Sequence, residues 1–76
     1  MDLTQEEVIV RIRKQLGGHL DVFWKNRALL RTHCGQLMAM LLVRRKGDTT
    51  KGQTVLACGA RNCNYTEPKL SELRLK

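Results

Sequence analysis

The three cysteines constrain this chain of 76 residues more than any other feature of its sequence. Cys58 and Cys63 are separated by the four residues G-A-R-N, and Cys34 lies upstream, across a polar and basic loop. Three cysteines cannot all pair within one chain, so the simplest interpretation is an intracellular protein that uses thiolates as metal ligands. Zinc takes four ligands in a tetrahedron, usually as two pairs from two turns. The spacing therefore predicts a metal knuckle on a β-hairpin.

The fourth ligand is not fixed by the cysteines. A second cysteine three residues before Cys34 would complete the first pair, but that position is occupied by Arg31. The fourth ligand is then His33, next to Cys34, or His19 from the preceding loop, or water. We predict a Zn²⁺ site with the ligands Cys34, Cys58, Cys63 and His33.

Other uses of these residues remain open at this point. Cysteine is a common small core residue, so Cys34 could simply be buried, and Cys58 and Cys63 could form a local disulfide or face the interior of a metal-free hairpin. A cysteine–histidine nucleophile is also conceivable. However, His33 and Cys34 are adjacent and would project in opposite directions from a strand. So short a chain also leaves little room for an enzyme cleft. We predict a protein that is not an enzyme.

The N-terminal residues predict a helix over 4–16. Thr4 and Glu7 have the spacing of a capping box, and Leu3 and Val8 flank it at the positions of a hydrophobic staple. The apolar residues that follow recur at helical spacing on one face, and they are Val8, Ile9, Ile12 and Leu16. Gly17 and Gly18 then end the helix. Basic residues near its end, including Arg11 and Lys14, complement the helix dipole and could also face a partner.

The rest of the chain is predicted to be mainly β-structure. Alternating apolar residues predict a short strand within 19–26, with a turn at Asn26 and Arg27. The Leu-, Met- and Ala-rich segment 36–45 has helical propensity, but a cysteine ligand at 34 requires a turn there, so we interpret 37–45 as a strand. Loop residues fill 46–52, and Gln53 to Cys58 is expected to return antiparallel.

Residues 64–66 could add a last strand, and the tail 67–76 a short helical turn after Pro68. We therefore predict one α+β domain over residues 1–76, with an N-terminal helix on an antiparallel sheet of three or four strands.

Two segments of the chain resemble the knuckles of a zinc ribbon. They read R-T-H-C-G-Q-L-M and, after a polar loop, L-A-C-G-A-R-N-C-N-Y-T, and the resemblance covers residues 31–66. This pattern is similar to the C-terminal ribbons of bacterial topoisomerase I and to small phage late-transcription activators of the Ogr/Delta type. Cys34, followed by Gly35, matches the second ligand of the first knuckle, and Cys58 and Cys63 match the second pair. Arg31 stands where the first cysteine belongs.

The charge of the chain points to the class of partner. Its 14 basic and 7 acidic side chains leave a net charge of +7, which attracts phosphate or acidic protein. The resemblance to the topoisomerase ribbons implies contact with single-stranded DNA, and the resemblance to the activators implies contact with RNA polymerase. Neither implies catalysis by the ribbon. We predict binding to nucleic acid, either DNA or RNA, with docking on a protein such as RNA polymerase as the alternative.

The candidate nucleic-acid contacts are four cations around the loop and two residues at the second knuckle, namely Arg44, Arg45, Lys46, Lys51, Arg61 and Tyr65. Cations neutralise phosphates, and an aromatic ring can stack on a base. Trp24 is the other aromatic residue that could stack on a base, but it is expected in the core. The N-terminus has no signal-peptide pattern and the apolar run 37–43 is too short to span a bilayer, so we expect no membrane partner. The expected location is the cytoplasm, which would be that of the host if the protein is viral.

Overall fold

The computed structural model describes residues 3–18, 20–48 and 52–73. One helix, α1 (Gln5–Leu16), precedes four strands, β1 (Leu20–His33), β2 (Gln36–Arg45), β3 (Gln53–Ala57) and β4 (Thr66–Glu67). The strands form one antiparallel sheet in the order β1-β2-β3-β4, and a 3₁₀ turn (Leu70–Glu72) follows. The α+β prediction is therefore confirmed. Two predicted residues, Lys51 and the alternative ligand His19, lie outside the described residues.

The helix begins with the predicted capping box. The Glu7 amide donates to the Thr4 hydroxyl at 3.2 Å, and the Thr4 amide donates to the Glu7 carboxylate at 2.9 Å. The second bond favours the ionised carboxylate, so the pKa of Glu7 lies below its ordinary value of 4.5. The helix ends at Gly17, whose φ of 93° suits glycine and whose amide donates to the Arg13 carbonyl at 2.9 Å.

The core lies between α1 and one face of the sheet. Val8 and Ile12 are each 1% exposed and are the residues that α1 buries. Their partners on the sheet are Leu41 and a set of small or β-branched residues, namely Val22, Ala39, Val43, Val55 and Ala57. Trp24 is half-buried and packs against this cluster, in agreement with its expected place in the core. The predicted apolar face of the helix is therefore the face that packs against the sheet.

The first strand differs from the prediction. A short strand with a turn at Asn26 and Arg27 is wrong, because β1 continues through these residues to His33. Trp24 pairs with Leu41 and Asn26 pairs with Met40, so one extra residue on β1, Lys25, forms a bulge. The strand therefore has a bulge next to Asn26 and Arg27, where the sequence predicted a turn. The segment 37–45 is confirmed as a strand, since β2 pairs with both β1 and β3.

The chain reverses between β1 and β2 in a two-residue turn. Cys34 and Gly35 have φ values of 55° and 77°, and the flanking residues His33 and Gln36 pair across the strands. Positive φ at both central residues is the geometry that matches the twist of a β-hairpin. The sequence analysis expected a turn at Cys34, and the structure has one there. None of the described helices is both long and apolar enough to cross a membrane.

Candidate metal centre

Four side chains meet at the end of the sheet where the β1–β2 turn lies. They are His33, Cys34, Cys58 and Cys63, and their ligand atoms all lie within 4.8 Å of one another. Tetrahedral zinc, with Zn–S near 2.3 Å and Zn–N near 2.0–2.1 Å, requires ligand atoms roughly 3.5–3.8 Å apart. The His33 Nδ1 atom is 3.3 Å from the Cys34 Sγ atom and 3.5 Å from the Cys63 Sγ atom. The arrangement is compatible with a metal ion such as zinc.

The β1–β2 turn brings His33 and Cys34 to the same side. Adjacent strand residues point to opposite faces, and on that ground these two were expected to diverge. The expectation is wrong because Cys34 is not part of the strand. Its positive φ turns its sulfur back toward the imidazole of His33.

The second knuckle follows β3. Cys58 is buried, its amide donates to the Tyr65 carbonyl at 3.0 Å, and its sulfur accepts the Ala60 amide at 3.4 Å. The Cys63 amide donates to the Ala60 carbonyl at 3.2 Å, which closes the loop between the two cysteines. All three cysteines are free thiols, so Cys58 and Cys63 are not joined in a disulfide.

Cys34 and Cys63 differ in how easily they ionise. The backbone of Tyr65, by hydrogen bonding, lowers the pKa of Cys63 below its ordinary value of 9.0. Hydrogen bonds to Cys63 and then to Cys58 raise the pKa of Cys34 to about 11. Cys63 is therefore the easier of these two thiols to ionise. A metal ion binds thiolates, so binding would displace protons from the cluster.

A second layer of residues orients His33. Its ring lies parallel to that of Tyr65, with 4.1 Å between the ring centroids and 1° between the planes. The Tyr65 hydroxyl donates to the Glu67 carboxylate at 2.6 Å, and the same carboxylate forms an ion pair with Arg31. The hydrogen bond from Tyr65 and the charge of Arg31 lower the pKa of Glu67. One face of the Tyr65 ring, which we expected to stack on a base, is thus covered by His33.

Arg11 ties the helix to the second knuckle, a role that the sequence did not reveal. Its guanidinium donates to the carbonyls of Ala60 at 2.9 Å and Arg61 at 2.8 Å, and also to that of Cys63. The sequence suggested two uses for this cation, complementing the helix dipole and facing a partner. The only sequence signal for its actual role is its position next to the buried residue Ile12, and that signal is weak.

The predicted nucleic-acid contacts do not form one cluster. Arg61 and Tyr65 lie beside the metal ligands, close to the start of the helix, where the Leu3 amide donates to the Gly59 carbonyl at 2.8 Å. Arg44, Arg45 and Lys46 lie at the far end of β2.

The cations at the far end of β2 have neighbours of two kinds. Arg44 pairs with Asp21 across the strands, and its guanidinium lies 4.5 Å from the centroid of the Phe23 ring. Lys46 shares an open groove with Arg13 and Lys14 from the last turn of the helix. Basic residues of the helix and of the loop, which are distant in sequence, therefore form one surface.

No protein-family model matches this chain, and no curated protein or solved structure matches it either. The interpretation of the site therefore depends on its own chemistry.

Proposed function

We propose that this chain is a zinc-stabilised module that binds nucleic acid and has no catalytic role. The observation that carries the proposal is the convergence of His33, Cys34, Cys58 and Cys63, with all ligand atoms within 4.8 Å of one another. Thiolate and imidazole ligands favour zinc over the oxygen-seeking cations magnesium and calcium. When bound, the ion would cross-link the two knuckles and add folding free energy to a small domain.

The composition of the ligand set supports a structural role for the zinc. Three cysteines and one histidine supply four protein ligands, which fills a tetrahedral site and leaves no position for a substrate or a reactive water. A catalytic zinc site usually keeps one position open. Because the four ligands are all in place on the protein, we infer that the ion would hold the fold and would not carry out chemistry.

The resemblance to zinc ribbons is retained here in an altered form. In a standard ribbon the first knuckle supplies two cysteines, whereas here it would supply the neighbouring residues His33 and Cys34. Arg31, at the position of the missing cysteine, instead forms an ion pair with Glu67. We infer a zinc-ribbon-like site in which His33 replaces a cysteine. A regulatory role like that of the phage activators rests on the sequence resemblance alone.

The nucleic-acid proposal is supported by charge. The chain carries a net charge of +7, and three cations line the open groove between the end of the helix and the end of β2, namely Arg13, Lys14 and Lys46. Arg44 and Arg45 immediately precede Lys46 on β2. Phosphates along a strand of DNA or RNA would be neutralised by such a surface, with release of counterions.

Salt dependence tests this proposal. We would measure the binding of labelled single-stranded DNA, duplex DNA and RNA by fluorescence anisotropy between about 50 and 200 mM salt. Each phosphate contact contributes about 0.7–0.9 to the slope of log affinity against log salt concentration. Replacing two groove cations, Lys14→Ala with Lys46→Ala, is expected to flatten the slope by more than about one unit. The protein should keep its melting temperature, because both residues are exposed.

The matched control replaces two exposed lysines away from the groove, Lys25→Ala with Lys69→Ala. It removes the same charge, so it separates a binding surface from a general effect of net charge. If both double variants reduce the slope equally, the groove is not the contact surface. If the parent binds none of the three oligonucleotides at low salt, nucleic acid is not the partner and docking on a protein such as RNA polymerase becomes the better interpretation.

A further inference from the structure

The sheet face opposite α1 presents exposed apolar side chains. Leu29 and Leu30, both on β1, are 83% and 93% exposed, and Phe23 on the same strand is 38% exposed. Met40 and Leu56, which pair with each other across β2 and β3, are half-buried. Two exposed leucines do not contribute the stabilisation that their burial would give. A contiguous apolar patch on a soluble protein commonly marks an interaction site.

An irregular stretch of β1 causes this exposure. Arg27 pairs with Ala39 and Thr32 pairs with Leu37, so four residues of β1 lie opposite the single residue Met38 of β2. The extra residues cannot all pair, and they bulge away from the strand. Met38, which lies opposite this stretch, is fully buried, whereas the two leucines are exposed to solvent. The bulge thus displays the leucines instead of burying them.

The raised leucines border an open groove of about 350 Å³, which we call the Leu29 groove. Leu29 and Leu30 line it together with Met40 and Leu56, and Arg27 and Arg31 complete its border. The lining of this open groove is mostly aliphatic. A groove of this shape can receive side chains of a partner, and the flexible Met40 side chain can adapt to them.

The charges around the Leu29 groove favour a partner that carries carboxylates. Arg27 and Arg31 line the groove, and Lys25 directly precedes Asn26, another of its lining residues. A carboxylate nearby, that of Glu67, forms an ion pair with Arg31, and Glu67 lies opposite Leu56 in the register of β3 and β4. Cations therefore outnumber anions around an apolar surface.

Three other occupants fit less well. A second copy would bring like charges together, with a net charge of +7 on each chain. Nucleic-acid bases stack on aromatic rings, and the lining of the groove is aliphatic. A bilayer surface would meet the two raised leucines alone, whereas the groove also includes the half-buried side chains of Met40 and Leu56. A protein segment with apolar side chains on one face and carboxylates on its flanks matches both the shape and the charge.

We propose that the Leu29 groove docks an acidic amphipathic helix of a partner protein. Leucine-like side chains of that helix, at positions i, i+3 and i+7, would enter the groove, and its flanking carboxylates would face Lys25 and Arg27. The Leu29 groove contains none of the four candidate metal ligands and none of the cations of the groove at the helix end. The inference therefore does not rest on zinc or on nucleic-acid binding.

The test uses a labelled synthetic peptide with leucines at helical spacing and glutamates elsewhere, titrated with the full chain. The double variant Leu29→Ser with Leu30→Ser should weaken binding by at least about tenfold, because it removes the apolar anchors. Both side chains are exposed, so the melting temperature should stay at the parent value. Lys25→Glu should weaken binding of the same peptide. A peptide with lysines in place of the glutamates should bind more weakly to the parent.

The matched control replaces two exposed apolar residues elsewhere, Val10→Ser with Leu37→Ser, which are 43% and 36% exposed. It should bind the acidic peptide like the parent. The proposal is overturned if the leucine variant binds as tightly as the control, if the lysine peptide binds equally well, or if no binding is seen at millimolar protein. It is also overturned if the parent is a dimer that the leucine variant dissociates, or if only anionic lipid vesicles bind in a leucine-dependent way.

Discussion

Replacing Arg11 by methionine is the change that best tests how the helix supports the candidate metal centre. The guanidinium of Arg11 donates to three carbonyls of the second knuckle, those of Ala60, Arg61 and Cys63. Methionine keeps an unbranched apolar stem of similar reach but cannot donate hydrogen bonds. The knuckle would then lose its link to the helix, and Cys63 would lose the contact that helps to position its sulfur.

The expected cost follows from these bonds. A hydrogen bond to a charged group contributes about 1.5–3 kcal/mol to stability, and two of the three are part-buried while the third is exposed. Water can replace some of the lost donors, so we expect a loss of about 2–3 kcal/mol in the free energy of unfolding. A domain of this size has a total stability of about 4–11 kcal/mol, so the loss would be large. Weaker positioning of Cys63 should also lower zinc affinity by about 10- to 100-fold.

Chemical denaturation with and without zinc, combined with competition against a chelator, would measure both effects. Arg13→Met is the control, since it removes the same charge from an exposed position of the same helix and should cost less than about 1 kcal/mol. If Arg11→Met and Arg13→Met unfold alike and bind zinc with equal affinity, the contacts of Arg11 do not support the knuckle.

Three further predictions concern the helix and the residues around the metal ligands. Ile12→Ala should destabilise the protein by about 2–4 kcal/mol, because Ile12 is 1% exposed and its loss leaves a cavity; a melting curve like that of the parent would contradict the packing. Glu7→Gln should lower the melting temperature at neutral pH. The pKa of Glu7 is depressed in the folded state, so its contribution is complete above the ordinary value of 4.5 and disappears as the pH falls through the depressed value. A gap between the two melting temperatures that persists in strong acid would refute this reasoning. Tyr65→Leu should reduce zinc affinity by about 10- to 100-fold in chelator competition, because His33 loses its stacking partner, whereas an unchanged affinity would show that the stack is dispensable.

Local signals explain why the helix and most of the strand positions could be predicted from the sequence. The capping box at Thr4 and Glu7 involves residues three apart, and the stripe through Val8 and Ile12 reflects a single element facing a core. The strand at 37–45 was ambiguous by propensity. Its assignment came from the need for a turn at Cys34, and the observed positive φ there bears out that argument.

Long-range pairing explains what could not be predicted. Asn26 and Arg27 have the composition of a turn, but β1 continues through them because its later residues, Thr32 and His33, pair with β2. A bulge costs the sheet one unpaired residue and leaves no distinctive sequence pattern. The contact between Arg11 and the carbonyls near Cys63 joins residues 52 positions apart and depends on how the helix lies on the sheet.

Local spacing predicted some residues of the candidate metal centre, and the long-range packing determines the others. The cysteine spacing pointed to Cys34, Cys58 and Cys63, and the structure brings all three together with His33. Which histidine completes the cluster depends on the turn geometry at Cys34, and the sequence left His19 as an alternative. The combination of Lys46 with Arg13 and Lys14 in one groove depends on the packing of the helix, so it could not be seen in the sequence.

Zinc stoichiometry is the most direct test of the proposed function. Native mass spectrometry of protein purified without chelator, compared with the denatured mass, should show one zinc ion per chain, and Cys58→Ser should abolish it. Removing the metal with EDTA should lower the melting temperature, because binding free energy contributes to folding. Less than about a tenth of an equivalent of zinc, with a melting curve unchanged by EDTA, would contradict the account and leave a metal-free fold.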